Sequence, residues 1–260
     1  MVGTVLYERT GRIATITYNR PHAMNAVDRE LRADLNAAWR TFRDDADAWV
    51  GIVTGAGRAF CAGADLNDPT GATSTGNADP TFWEMPSLSS LEAGLEIDKP
   101  TIAAVNGHCL GFGLTLATAC DFVVASDRAT FGFPEVRLGV PTVQGAVRLP
   151  HRIGWQHAME LLLTGERIDT ARALEIGLVW KVVPHDDLMS EATRLAERLL
   201  AGAPLAVRAT KEIARRGTEL PLLDAIRFGE TMRRVVAQTE DAGAFGRRRA
   251  DDGPPTWTGR

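Results

Sequence analysis

The first residues alternate in a strand-like way. Val5-Leu6-Tyr7 and the run from Ile13 to Tyr18 are β-branched and aromatic, and Thr10-Gly11 lies near their junction. That pattern predicts an opening hairpin, ended by Asn19-Arg20-Pro21. From Asp28 the period changes. Leu31, Leu35, Ala38, Trp39 and Phe42 fall at helical spacing behind a residue suited to an N-cap. Residues 50–54 and 101–105 are short apolar runs, turned by Gly55-Ala56-Gly57 and by Asn106-Gly107, and both read as buried strands. Between them, residues 67–86 are rich in Gly, Pro, Ser, Thr and Asn, which predicts a long mobile loop. Residues 88–97 read as a helix stopped before Pro100. Small residues over 113–120 predict a helix, and 122–125 the next strand. Beyond about residue 145 the pattern is almost wholly helical, over 155–163, 170–176, 188–200, 205–216 and 222–239, with one further strand at 179–183.

Strands alternating with helices, followed by a helical end, predict an α/β fold with a C-terminal helical part. The expected division is a core over residues 1–204, a helical part over 205–246 and a polar tail over 247–260. With 260 residues, 45% of them hydrophobic, the chain can bury about three quarters of its unfolded surface without disulfide staples. The 29 Lys and Arg against 33 Asp and Glu leave a net charge of −4, so no basic surplus drives binding to nucleic acid. Arg247-Arg248-Arg249, followed by Asp251 and Asp252, reads as solvated tail. Cys61, Cys109 and Cys120 form no C-x-x-C pair, and an odd count argues against a disulfide framework. No apolar run approaches the roughly 20 residues of a membrane span. No leader-like apolar segment opens the chain. The expectation is a cytoplasmic protein without a membrane contact.

Several chemistries find no support. The five histidines, His22, His108, His151, His157 and His185, lack metal-ligand spacing, so no metal is expected. Gly111-Phe112-Gly113 begins like a dinucleotide fingerprint, but Leu116 takes the third glycine position. There is no phosphate-cradling G-x-x-x-x-G-K-[ST] and no G-x-S-x-G elbow.

Two segments share one design. Val50-Gly51-Ile52-Val53-Thr54 runs into a glycine-rich stretch ending Ala62-Gly63-Ala64-Asp65-Leu66. Residues 101–105 run into Asn106-Gly107-His108-Cys109-Leu110-Gly111-Phe112-Gly113. Small residues let a ligand approach backbone N–H groups closely. In the second segment a helix N-terminus follows, which favours a developing anion. Two such N–H groups would make an oxyanion hole. The other open reading is that the glycines serve only tight turns.

The stretches 55–66 and 100–121, with Phe131-Gly132-Phe133-Pro134-Glu135-Val136-Arg137-Leu138-Gly139, resemble the crotonase superfamily, the enoyl-CoA hydratase/isomerase family. Arg20-Pro21 with Asn25-Ala26, Leu163-Thr164-Gly165, and the stretch from Gly177-Leu178-Val179 to Val182-Val183-Pro184 resemble its other landmarks. The resemblance spans roughly residues 4–216. It implies a spiral of ββα turns with C-terminal helices that build a trimer or a dimer of trimers. It also implies an acyl-CoA thioester as substrate, with CoA part of the substrate and no separate cofactor. By position, the oxyanion hole is the backbone N–H of Ala64 and of Phe112, a place where the family often has glycine. Met24, Ala26, Ala62, Asp65 and Leu66 match the segments that contact pantetheine and adenine, and Arg58 stands where it would meet a CoA phosphate.

The catalytic carboxylates depart from the family's pattern. A hydratase of this kind holds one water between two glutamates, because a nucleophile and a proton go to neighbouring carbons. The second glutamate matches Glu135; the first matches Thr115, which can hold a water but does not titrate near neutrality. A lone carboxylate resembles the isomerase arrangement, in which one group moves a proton between carbons across an enolate. Three readings stay open: an isomerase or relaxed hydratase, a thioester hydrolase or decarboxylase using the same hole, and a non-catalytic acyl-CoA-binding protein.

Overall fold

The structure, a computed structural model, describes residues 3–68, 91, 92, 94–246 and 255–260. The opening hairpin forms as expected: β1 (Val5–Thr10) pairs antiparallel with β2 (Ile13–Tyr18). Helix α1 (Arg29–Asp44) starts where Asp28 Oδ1 accepts the Leu31 N–H at 2.8 Å, satisfying one of the orphan donors of a first turn. Leu31, Leu35, Trp39 and Phe42 along its inner stripe are fully buried. The far end of α1 is closed by Lys99, whose Nζ donates to the carbonyls of Phe42 and Asp45 at 2.7 and 2.6 Å.

The next six strands come in pairs: β3 (Val50–Gly55) with β4 (Ala59–Cys61), β5 (Thr101–Val105) with β6 (His108–Leu110), and β7 (Phe122–Ser126) with β8 (Thr130–Gly132). The first strand of each pair enters one sheet and the second another. With β9 (Arg167–Asp169) and β10 (Lys181–Val183), the sheets run β1-β2-β3-β5-β7-β10 and β4-β6-β8-β9. The chain therefore winds as a spiral, and its strands pair in parallel except at β1–β2 and β8–β9. All five residues of β5 are buried, as expected of a parallel strand covered on both faces.

Among the described residues the α-helices after α1 are α2 (Phe112–Ala119), α3 (Gln144–Ile153), α4 (Trp155–Thr164), α5 (Thr170–Glu175), α6 (Leu188–Leu200), α7 (Pro204–Gly217), α8 (Leu222–Val236) and α9 (Glu240–Gly246). Alternate residues of the large sheet serve two cores. Ile52, Ile102, Ala104 and Val124 meet Leu188, Ala192 and Leu195 of α6. Val53, Ala103, Val105 and Val123 face the main core with Trp39, Phe42, Phe60 and Phe131.

Some expectations need correction. Residues 94–97 are not helical; Gly94, with φ +104°, adopts a conformation foreign to a right-handed helix. The helix expected over 222–239 ends at Val236, and α9 follows as a separate element. Helix α3 was not singled out, and Pro150 lies inside it. His151 and His157 lie on different helices, α3 and α4. Most of the expected loop over 67–86 and the Arg247–Arg249 run lie outside the described residues. Residues 255–260 fold back onto the body: the buried Asp241 carboxylate accepts the N–H of Thr258 at 2.7 Å and of Gly259 at 2.9 Å, and Trp257 Nε1 donates to Ala201 O. No helix among the described residues is long and apolar enough to cross a membrane.

Candidate active site

Two asparagines shape the first glycine turn. Asn25, fully buried, donates from Nδ2 to Ala56 O and Ala59 O, and Asn106 Nδ2 donates to Gly57 O at 2.8 Å. Beyond β4 the chain runs beside residues 24–27. Ala62 N–H donates to Met24 O, Val27 N–H to Gly63 O at 2.8 Å and Asp65 N–H to Val27 O at 3.0 Å. In this short parallel bridge the Ala64 N–H faces away from Val27, and it has no hydrogen-bond partner among the described residues.

The second turn lies directly against the first. A Cβ on Gly63 would stand 3.3 Å from Leu110 O and 3.9 Å from Gly111 Cα, and one on Gly113 would stand 2.5 Å from Cys61 O. Gly111 has φ +52° and donates its N–H to Gly132 O; α2 begins at the next residue. The Phe112 N–H is the first of that helix. It has no acceptor among the described residues and carries the positive end of the helix dipole. Two unsatisfied N–H groups thus sit on turns that touch through glycine.

Glu135 completes this grouping. It lies on a short 3₁₀ turn (Pro134–Leu138), started by Pro134 and ended by Gly139 at φ +80°. A Cβ on Gly111 would be only 3.0 Å from Glu135 Oε1, so the bare glycine is what admits the carboxylate. Glu135 Oε2 is buried without a hydrogen-bond partner among the described residues, and burial raises the carboxyl pKa above its ordinary value. Thr142 lies close enough to oppose that shift weakly, but its own hydroxyl is buried without a well-formed bond. Thr115, one turn along α2, is buried and donates its N–H to Gly111 O.

The structure therefore brings Ala64, Phe112, Glu135 and Thr115 to one place. Met24, Ala26 and Ala62 are half-buried on the segments joined by the Ala62 N–H to Met24 O bond. Asp65 has a different task there. Its carboxylate pairs with Arg20 Nη2 at 3.1 Å, and Arg20 also reaches Asp28 at 2.9 Å and Ala26 O. The Asn67 N–H and Arg20 hold Asp65 below the usual carboxylate range. Leu66 is 74% exposed, and the Arg58 side chain is exposed beside the Pro21–Gly57 contact.

A second buried carboxylate escaped the sequence reading. Glu92 is 2% exposed, 3.7 Å from Arg32 Nη1, and interacts with Arg148 of α3. The Arg32 guanidinium lies 4.8 Å from the centre of the Phe112 ring. Nothing in the spacing around Glu92 or Arg148 marks them as partners, because their separation in sequence is bridged only by the fold.

A family model described as Enoyl-CoA hydratase/isomerase matches residues 8–260. A probable mitochondrial enoyl-CoA hydratase of Dictyostelium discoideum is 38% identical over 255 residues, covering 96% of this chain and 89% of the relative. An (E)-benzylidenesuccinyl-CoA hydratase of Thauera aromatica is 39% identical over 252 residues, covering 95% and 97%. The crystal structure of an enoyl-CoA hydratase/isomerase from Mycobacterium paratuberculosis superposes with a TM-score of 0.86 at 35% identity, covering all of both chains.

Proposed function

Because the chain belongs to the enoyl-CoA hydratase/isomerase family and is an acyl-CoA enzyme of it, we propose that it works through an enolate held by Ala64 and Phe112, with Glu135 as the only acid/base. The preferred reaction is double-bond migration in an enoyl-CoA, or hydration at reduced efficiency. The observation that carries this is the Glu135 carboxylate, lodged against Gly111 with one oxygen buried and unpartnered, while a threonine stands where a second carboxylate would be.

In this mechanism the thioester oxygen accepts the N–H groups of Ala64 and Phe112, which stabilise negative charge as it builds. Glu135 removes a proton from one carbon, the electrons move into the enolate, and the protonated Glu135 returns the proton at another carbon. A raised pKa suits that exchange, since the group must release and regain a proton at similar cost. Hydration asks for more, because water must lose a proton while the neighbouring carbon gains one. The Thr115 hydroxyl can orient water but cannot take its proton. Met24, Ala26, Ala62, Asp65, Leu66 and Arg58 are assigned to the CoA portion, with Asp65 acting through its backbone because its carboxylate is committed to Arg20.

The test is paired. Hydration and double-bond migration are assayed on one wild-type preparation and on Glu135→Gln. The variant is expected to lose about 10²–10⁴ of its turnover while still binding CoA. Unchanged turnover in the variant overturns the assignment, and efficient wild-type hydration with Thr115 in place overturns the isomerase preference. The proposal also includes a cytoplasmic homo-oligomer, a trimer or hexamer. Helix α8 has no buried residue and exposes Leu222 (75%), Leu223 (66%), Ile226 and Val235, an apolar surface that water does not favour. Light scattering is expected to give a multiple of the 28.1 kDa chain; a monomer at micromolar concentration rejects this part.

A further inference from the structure

The two oxygens of Glu135 have different surroundings. Oε1 lies against the bare face of Gly111, the residue before Phe112. Oε2 is buried and has no hydrogen-bond partner among the described residues. The hydroxyl of Thr142 is in the same condition, buried and unpaired. Buried polar atoms are normally paired, so two unpaired ones on interacting side chains call for a reason.

The backbone returns Thr142 to this carboxylate. Gly139, at φ +80°, turns the chain after the 3₁₀ segment, and the Val140 N–H donates to Glu135 O at 3.1 Å. Two residues on, just before α3, the methyl of Thr142 is fixed. A Cβ on Gly145 would stand 2.8 Å from Thr142 Cγ2 and 2.6 Å from the ring of the buried Phe133, so only glycine lets both pack at that spot. A threonine with its methyl fixed has its hydroxyl oxygen fixed too, and only the hydrogen turns. Thr142 and Glu135's own N–H both favour the ionised carboxylate, against the effect of burial. The charged groups on the elements around Glu135 are occupied elsewhere. Arg137, on the same turn, is engaged with Thr164 O and Glu166. On α3, Arg148 interacts with Glu92, Arg152 donates to Thr118 O and Cys120 O, and His151 is exposed. Glu160 and His157 of α4 are engaged with Arg172.

We propose that Thr142 is the positioning residue of the catalytic carboxylate: its hydroxyl donates to Oε2 of the ionised Glu135 and leaves Oε1 to exchange the proton with the substrate carbon. This rests on the reading of Glu135 as the acid/base and names what directs it. The bond forms when Glu135 is charged, because a carboxylate accepts more strongly than a carboxylic acid. It loosens when Oε1 takes up a proton, and the threonine keeps its own proton throughout. Without it, a buried carboxylate with no cation beside it among the described residues holds its proton too firmly for a base.

Thr142→Val removes the hydroxyl and keeps the shape, whereas Thr142→Ser keeps the hydroxyl. Both are compared with the wild type and with Glu135→Gln in the migration of 3-hexenoyl-CoA, with kcat/KM followed from about pH 5 to about pH 9. The acid limb is expected to move up by about one pH unit in Thr142→Val, so that kcat/KM at the low end falls about tenfold. At high pH the KM should stay near the wild-type value. Thr142→Ser should return the limb close to its wild-type position. An unmoved limb in Thr142→Val overturns the proposal. So does an equal shift in Thr142→Ser, which would trace the effect to packing. Full turnover in Glu135→Gln is a different failure, since it removes the acid/base reading itself. The same shift is read without turnover from the carboxyl carbon NMR resonance of Glu135, assigned by its loss in Glu135→Gln. Should Thr142→Val fail to fold, Thr142→Ala takes its place against Thr142→Ser.

Discussion

Glu135 and Glu92 are both withdrawn from water, and each has an oxygen without a hydrogen-bond partner among the described residues. Around Glu135 the neighbours are Gly111, Thr142 and the buried Phe133, and no cation pairs with it among the described residues. Around Glu92 stand Arg32 and Arg148. The same side chain is thereby given two tasks. Desolvation alone makes a carboxylate exchange its proton more readily near neutrality. A buried carboxylate beside guanidiniums makes a structural ion pair, whose loss leaves an uncompensated charge. The proposed catalytic role of Glu135 rests on burial without a counter-charge among the described residues, not on burial alone.

The largest effect that would separate the two is on stability. Glu92→Leu removes a counter-charge from beside Arg148 and is expected to cost about 2–4 kcal/mol in urea unfolding, towards the lower end because the Arg148 guanidinium keeps some solvent. Glu135→Leu strands no charge and should cost far less. Equal losses would mean that the two surroundings do not differ as described. A smaller effect is expected from Gly111→Ala. The residue sits at φ +52°, ψ −117°, which L side chains avoid, so about 1–2 kcal/mol is lost. The new methyl also crowds Glu135 Oε1, so turnover should fall by about tenfold. Normal turnover in a folded Gly111→Ala would show that the carboxylate need not lie there.

The smallest effect is in the pH dependence of Glu135→Gln. The folded state raises this pKa, so the wild-type group favours folding while protonated. That contribution is complete below the unfolded value of about 4.3 and is lost as pH rises through the raised folded value. A glutamine never ionises. The variant should match the wild type near pH 4 and melt about 1–2 °C higher near pH 8. A variant that gains stability in acid instead contradicts the assigned direction. Asp65 has the opposite sign: its lowered pKa stabilises the fold above about pH 4, and that part fades in acid.

Where period and burial agree, the expectations hold closely. The stripe of α1, its Asp28 cap, the hairpin and the buried runs β3, β5 and β7 were all readable, because each depends on neighbours within a turn or a strand. The companion strands β4, β6 and β8 were not separated from their glycine turns. Each has three residues, too few for a period to register. The motif residues 64, 112, 115 and 135 could be named in advance through the family resemblance, yet spacing could not say why they meet. They meet because Gly63, Gly111 and Gly113 remove the side chains that would hold two turns and a carboxylate apart.

By itself the chain's order of apolar and small residues determined the alternating strands and the two places where backbone donors could be left bare, while the spiral was implied by the family resemblance. Only the tertiary structure decided the company each charge keeps. Arg20 took Asp65, while Glu135 was buried with no cation beside it among the described residues and Glu92 came to lie near Arg32 and Arg148. The reason is range: periodicity is set by residues a few positions apart, whereas electrostatic interactions join groups such as Arg32, Glu92 and Arg148 that lie far apart in sequence and close in space.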